Sequence, residues 1–213
     1  MKLSGEIGIK ATYINNGINI SNRTSKPAVK SGSKFTVVTS GRIVAQKNPL
    51  LFNNIARYFE GLDQFEFIWI GDGDGKDLLT ASNIKVTGWQ NEEKAREMIN
   101  ECDVYLSTSQ YEGLSFAVLH ALSYMKPVLL SNCVGNIDVV IPGMNGDLFD
   151  TKDQAVSKIL KYYNNADMLS VMGDFSRELC EQEFDRSNNF NNYRQMYKLI
   201  PGNIGFNDQL SIA

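Results

Sequence analysis

Short unbroken apolar runs alternate along this chain with longer stretches in which apolar residues recur every three or four positions. The runs Phe35 to Ser40, Phe65 to Ile70, Ile84 to Thr87, Val104 to Ser107 and Pro127 to Ser131 predict five strands. Between them, Asn48-Pro49 predicts a capped helix start, with Leu50, Leu51, Ile55 and Tyr58 at helical spacing and Gly61 as its end. Glu92 to Asn100 and Leu114 to Met125 predict two more helices, and Asp153 to about Ile200 two or three. Continuous rather than alternating apolar strands, each followed by a helix, imply a parallel sheet covered on both faces. The expected fold is a doubly wound, Rossmann-like α/β domain over residues 35–200.

Residues 1–34 differ in composition. Apart from one short strand expected over Lys10 to Ile14, they carry turn and linker sequences such as Asn15-Asn16-Gly17 and Lys30-Ser31-Gly32-Ser33-Lys34. They read as a tether or the remnant of a domain junction, and residues 201–213 as a tail.

Ligands of such sheets bind beyond the carboxyl ends of the strands. Gly41, Gly71, Gly88 and Glu112-Gly113 each follow a predicted strand and should gather at that edge. Arg42 and Lys47 add two fixed cations there, a planar fork and a point charge, both suited to phosphate oxygens. A Walker loop would need glycine where Gln46 stands and Ser or Thr at Asn48. Taken alone, the two cations also fit an ordinary solvated surface.

Gly71-Asp72-Gly73-Asp74-Gly75 fails as a dinucleotide fingerprint for want of its third glycine, and as a calcium loop because Lys76 and Asp77 occupy the wrong positions. An Asp-x-Asp metal site is formally open. The better reading is a tight strand-to-helix turn whose glycines let a ligand approach the backbone. Glu112, with Gly113, Leu114 and Ser115, sits at an expected helix N-terminus, where free N–H groups favour an anion. Glu112 either caps that helix or accepts hydrogen bonds from sugar hydroxyls. His120 follows two turns later, a position that also suits a hydrogen-bonded core histidine. Trp89, Tyr111 and Phe116 could stack on a base, although such aromatics more often belong to the core.

Bulk properties narrow the field. The apolar fraction is 43% and the net charge −3, ordinary for a globular domain and unsuited to a general nucleic-acid binder. Three dispersed cysteines and a single histidine give no zinc spacing and fit a reducing cytoplasm. No apolar run approaches membrane-spanning length.

The ordered series resembles the C-terminal, donor-binding domain of GT-B glycosyltransferases of the group 1 family. Its parts are Ile14 to Asn19, Gly41-Arg42 through Lys47, Ile70 to Gly73, Gly88, Cys102 to Val104, Ser109 to Gly113, Lys126 to Val128 and Asn145-Gly146. The resemblance implies a retaining, metal-independent transfer of a sugar from a nucleotide diphosphate-sugar to a saccharide or lipid-linked acceptor, with no cofactor. Arg42 and Lys47 would hold the diphosphate, Glu112 would sit beside the sugar, and Gly41, Gly71, Gly88, Gly113, Leu114, Ser115 and His120 would line the donor site. His120 departs from the pattern, since resembling enzymes carry a second acid there for the ribose hydroxyls. The resemblance further implies an N-terminal acceptor-binding domain or subunit as partner, and through the acceptor a place at the inner membrane surface. C-terminal helices that cross back onto such a domain should leave an apolar patch exposed. A catalytically degenerate nucleotide-sugar binding or partner module is the competing reading. A nicotinamide- or metal-dependent enzyme on the same sheet fails on glycine spacing and on metal ligands.

Overall fold

The computed structural model describes residues 14–20 and 34–198. The strand expected over Lys10 to Ile14 lies, except for Ile14, outside them, as does the tail. Six strands, β1 (Phe35–Ser40), β2 (Phe65–Ile70), β3 (Ile84–Val86), β4 (Val104–Ser107), β5 (Val128–Ser131) and β6 (Gly146–Phe149), form one sheet in the order 3-2-1-4-5-6. Every neighbouring pair is parallel. The doubly wound, Rossmann-like fold is therefore present, with β6 as a strand that the sequence pattern did not predict.

The strands send alternate residues into two separate layers, except the edge strand β3, whose Lys85 is exposed. Phe35, Val37, Phe65, Phe67, Trp69, Val104, Leu106 and Leu129 meet α1 (Pro49–Tyr58) and α4 (Lys152–Tyr163) on one face. Val38, Ile68, Ile70, Tyr105, Val128 and Leu130 meet α2 (Glu92–Glu101) and α3 (Phe116–Ser123) on the other. Helix α5 (Ala166–Glu183) serves both layers, with Met172 in the first and Cys180 in the second. Helix α6 (Arg186–Lys198) follows. Two buried faces explain why the strands read as continuous apolar runs.

Local signals account for the helix starts. Asn48 takes a left-handed conformation, φ 51°, and its side chain accepts from Leu51 N at 3.2 Å, ahead of Pro49. Asn91 and Thr151 cap α2 and α4 in the same way, accepting from Lys94 N and Gln154 N. Helix α3 differs from expectation: it begins at Phe116 and has 8 residues, so Leu114 and Ser115 belong to the preceding loop.

Residues 14–20 pack against the domain. Ile18 is 4% exposed in the second layer, donates its N–H to Phe184 O at 2.9 Å and accepts from Arg186 N at 3.0 Å. It thereby pins residues 14–20 to the junction of α5 and α6.

Candidate functional site

In the 3-2-1-4-5-6 order the connections leave β1 and β4 in opposite directions, which opens a crevice between the loops that follow them. Those loops carry Gly41 to Asn48 and Thr108 to Ser115. They are tied together along their length. Gln110 N donates to Gln46 O at 2.8 Å, Gln46 Nε2 to Tyr111 O at 3.0 Å, and Thr108 Oγ1 to Lys47 O at 2.8 Å.

Between these ties Lys47 Nζ meets Glu112 Oε1 at 2.6 Å, with the two side chains 22% and 8% exposed. The same Oε1 accepts from Ser109 Oγ at 2.6 Å. Glu112 therefore does not cap α3; its carboxylate turns across the crevice to the β1 loop. Gly41 lies directly under the lysine, since a Cβ there would stand 3.3 Å from Lys47 Cε. The Arg42 side chain is exposed and makes no hydrogen bond or ion pair among the described residues, while its carbonyl accepts from Val44 N at 3.0 Å. The site thus presents one paired cation, one exposed cation and one carboxylate at a sheet edge.

The glycines of the second and third strand ends close the floor of this crevice. Gly71 has φ 142°, and a Cβ on it would lie 2.2 Å from Gly41 O. It also bridges to Gly88. Ile43 N donates to Asp72 O and Gly75 N to Ile43 O, each at 2.9 Å. The tight turn at 71–75 is as expected, but the backbone that approaches it is the chain's own β1 loop rather than a ligand. That close packing sets the height of Gly41 and Lys47 above the sheet. Asp72 spends its Oδ1 on Gly73 N at 2.9 Å, and the described residues hold no cluster of metal-ligating side chains.

Gly113 contrasts with its neighbour. A Cβ on it would meet nothing within 4 Å, so the fold leaves open space over the Gly113-Leu114-Ser115 loop. At Gly135, φ 88°, a Cβ would lie 2.1 Å from Gly113 O, and Glu112 N donates to Val134 O at 2.9 Å. The loop after β5 thus props the Glu112 backbone from below.

His120 is half-buried, and the charges that act on it, Arg96 and Glu92, belong to α2. Burial is the main cause that lowers its pKa, the Arg96 guanidinium lowers it further, and Glu92 opposes both. Arg96 Nη2 bonds Glu92 Oε1, and its Nε is buried with no hydrogen-bond partner among the described residues. Trp89, Tyr111 and Phe116 are 66%, 59% and 53% exposed, so the core reading does not hold for them. Gln46, Thr108, Ser109 and Ser131 also shape the site, though none was given a role in it from sequence; Ser109 stood only within the resembling stretch Ser109 to Gly113, and Gln46 only as a departure from a Walker loop.

Residues 21–179 match the family described as "Glycosyl transferases group 1". Similar proteins include the Escherichia coli UDP-Gal:alpha-D-GlcNAc-diphosphoundecaprenol alpha-1,3-galactosyltransferase, 28% identical over 68% of this chain and 42% of the relative. Another is the Escherichia coli K12 lipopolysaccharide 1,6-galactosyltransferase, 29% identical over 64% of this chain and 42% of the relative. The chain spans less than half the length of these two relatives. Among solved structures, Anabaena HepE in complex with UDP superposes with a TM-score of 0.78 at 18% identity, over 92% of this chain and 60% of that one. The fold is thus that of one half of a GT-B enzyme, and with the match over most of its length the chain belongs to the group 1 glycosyl transferases.

Proposed function

We propose that this chain is the donor-binding half of a retaining, metal-independent glycosyltransferase that takes its hexose from a uridine diphosphate-sugar. The observation that carries the reading is the Lys47–Glu112 pair at 2.6 Å across the β1–β4 crevice, with Arg42 exposed beside it. Two cations at the end of β1 suit a diphosphate, and a carboxylate one loop away suits sugar hydroxyls. The uridine preference draws on one relative, whose name specifies UDP-Gal, and on the UDP held by HepE.

In this reading Arg42 and Lys47 stabilise the charge that develops on the β-phosphate as the anomeric carbon–oxygen bond breaks. The two positive charges replace a divalent metal. Glu112 accepts hydrogen bonds from the hexose and balances Lys47. The open backbone at Gly113 to Ser115, at the start of α3, adds donors to the phosphate side. Leu114 lies against the second apolar layer and anchors that backbone.

Acceptor recognition belongs to an N-terminal domain or subunit, with a saccharide or a lipid-linked saccharide at the cytoplasmic membrane surface as acceptor. Among the described residues no helix is long and apolar enough to cross a membrane. Phe190, Tyr193 and Tyr197, spaced along one face of α6, are 59%, 42% and 60% exposed and form the apolar patch that such a partner would cover.

A thermal-shift panel of UDP, GDP, ADP, CDP and NAD, each with and without EDTA, tests the donor class. A ligand that binds only the folded state raises the melting temperature. UDP should give the largest rise and keep it in EDTA. A rise abolished by EDTA rejects metal independence, and a larger rise with another nucleotide rejects the uridine assignment.

A further inference from the structure

We infer that Ser109 is a positioning residue that sets the Glu112 carboxylate for the sugar of the donor, so that it governs preference for the nucleotide-sugar over the bare nucleotide. The inference rests on the donor-site reading above and assigns a role inside it.

The geometry separates two tasks. The backbone of the Lys47 and Glu112 loops is already fixed by Gln110 N on Gln46 O, Gln46 Nε2 on Tyr111 O and Thr108 Oγ1 on Lys47 O. None of these bonds touches the carboxylate. Glu112 has three rotatable side-chain bonds, and among the described residues only Lys47 and Ser109 hold it. Lys47 is itself a flexible four-carbon stem. Ser109 is the rigid one of the two, 2% exposed and held on both sides.

Its carbonyl accepts from Ser131 Oγ at 2.5 Å, and Asn136 Nδ2 donates to Ser131 O at 2.9 Å and to its Oγ at 3.2 Å. Its hydroxyl accepts from Ser107 Oγ at 3.1 Å. A carboxylate only accepts, so the proton order runs one way, from Ser107 to Ser109 to Glu112. The ends of β4 and β5 thus orient a single buried O–H at Glu112.

Ser109 and Lys47 both bond Oε1, and no described residue bonds Oε2. Oε2 is left as the acceptor for a hexose hydroxyl. Loss of the Ser109 hydroxyl frees the carboxylate to turn about Lys47 and costs the sugar contact. The contacts of the diphosphate with Arg42 remain.

The test compares Ser109→Ala and Ser109→Thr with the unaltered chain. Calorimetry gives the affinity for UDP and for UDP-galactose, and acylation of Lys47 in the ligand-free chain is read by mass spectrometry. For Ser109→Ala the expected results are about a tenfold loss of preference for UDP-galactose over UDP, the size of one charge-assisted hydrogen bond, and faster acylation of Lys47. Ser109→Thr keeps the hydroxyl and should restore both. Equal losses for UDP and UDP-galactose, or unchanged Lys47 acylation, would overturn the inference. No binding of either ligand by the unaltered chain would overturn the donor-site reading instead, while the acylation result still decides whether Ser109 orders the Lys47–Glu112 pair.

Discussion

The sequence resemblance leads one to expect an acid at His120, and its neighbours decide what the imidazole can do there. Burial and the Arg96 guanidinium disfavour its protonated form, so at neutral pH it offers one donor and one acceptor. Because its pKa in the folded state lies below the unfolded value, the unfolded chain binds the extra proton more readily. Stability should therefore fall as pH drops from about 6.5, the ordinary histidine value. Urea unfolding between pH 5 and 7 should show that slope, reduced in His120→Gln; an unchanged slope would place its origin elsewhere. Cysteine chemistry is graded by depth in the same way. Burial pushes the thiols of Cys102 and Cys180 up to about 12, whereas Cys133 is only half-buried near the site. Iodoacetamide at pH 8 should label Cys133 well before the other two, as peptide mass mapping would show.

At the level of elements, the strand-end loops were the most legible part of the sequence. Apolar runs ending in Gly41 and Gly71 located the sheet edge, because β1 and β2 are buried on both faces and leave a nearly unbroken apolar signature, whereas Gly88 follows the edge strand β3, whose Lys85 is exposed. Strand β6 escaped notice because Asp147 interrupts its apolar pattern. That acid is 8% exposed and paired with Tyr162 Oη at 2.8 Å and Lys158 Nζ at 3.1 Å, partners contributed by α4 and invisible in the local sequence. The same limit applied to Glu112, whose role as capping residue or crevice acid turned on Lys47, 65 residues away. Trp89, Tyr111 and Phe116 looked like core by type but lie at the sheet edge, where packing does not reach them.

Gly135 and Gly113, two of the crevice glycines, should respond oppositely to substitution. Gly135→Ala would force a side chain into φ 88° and against Gly113 O, and should cost upwards of about 2 kcal/mol of stability. Gly113→Ala meets open space and should leave the melting temperature almost unchanged while weakening UDP binding. Equal destabilisation by the two would show that the Gly113 loop is packed in solution.

For the molecule as a whole, the switch point between β1 and β4 unites the observations. It brings two loops far apart in sequence to the same edge, and the loops after β2, β3 and β5 support them from below and behind. The exposed aromatic face of α6 is where the proposed acceptor-binding partner would sit. Arg42 and Lys47 are proposed to hold a donor diphosphate. Titration calorimetry of UDP and of uridine against the unaltered chain, Arg42→Ala and Lys47→Ala tests this role most directly. Each variant should lose about tenfold or more in affinity for UDP, as expected for a charge-assisted phosphate contact, and keep its affinity for uridine. Equal losses for UDP and uridine, or no loss for either, would contradict that role.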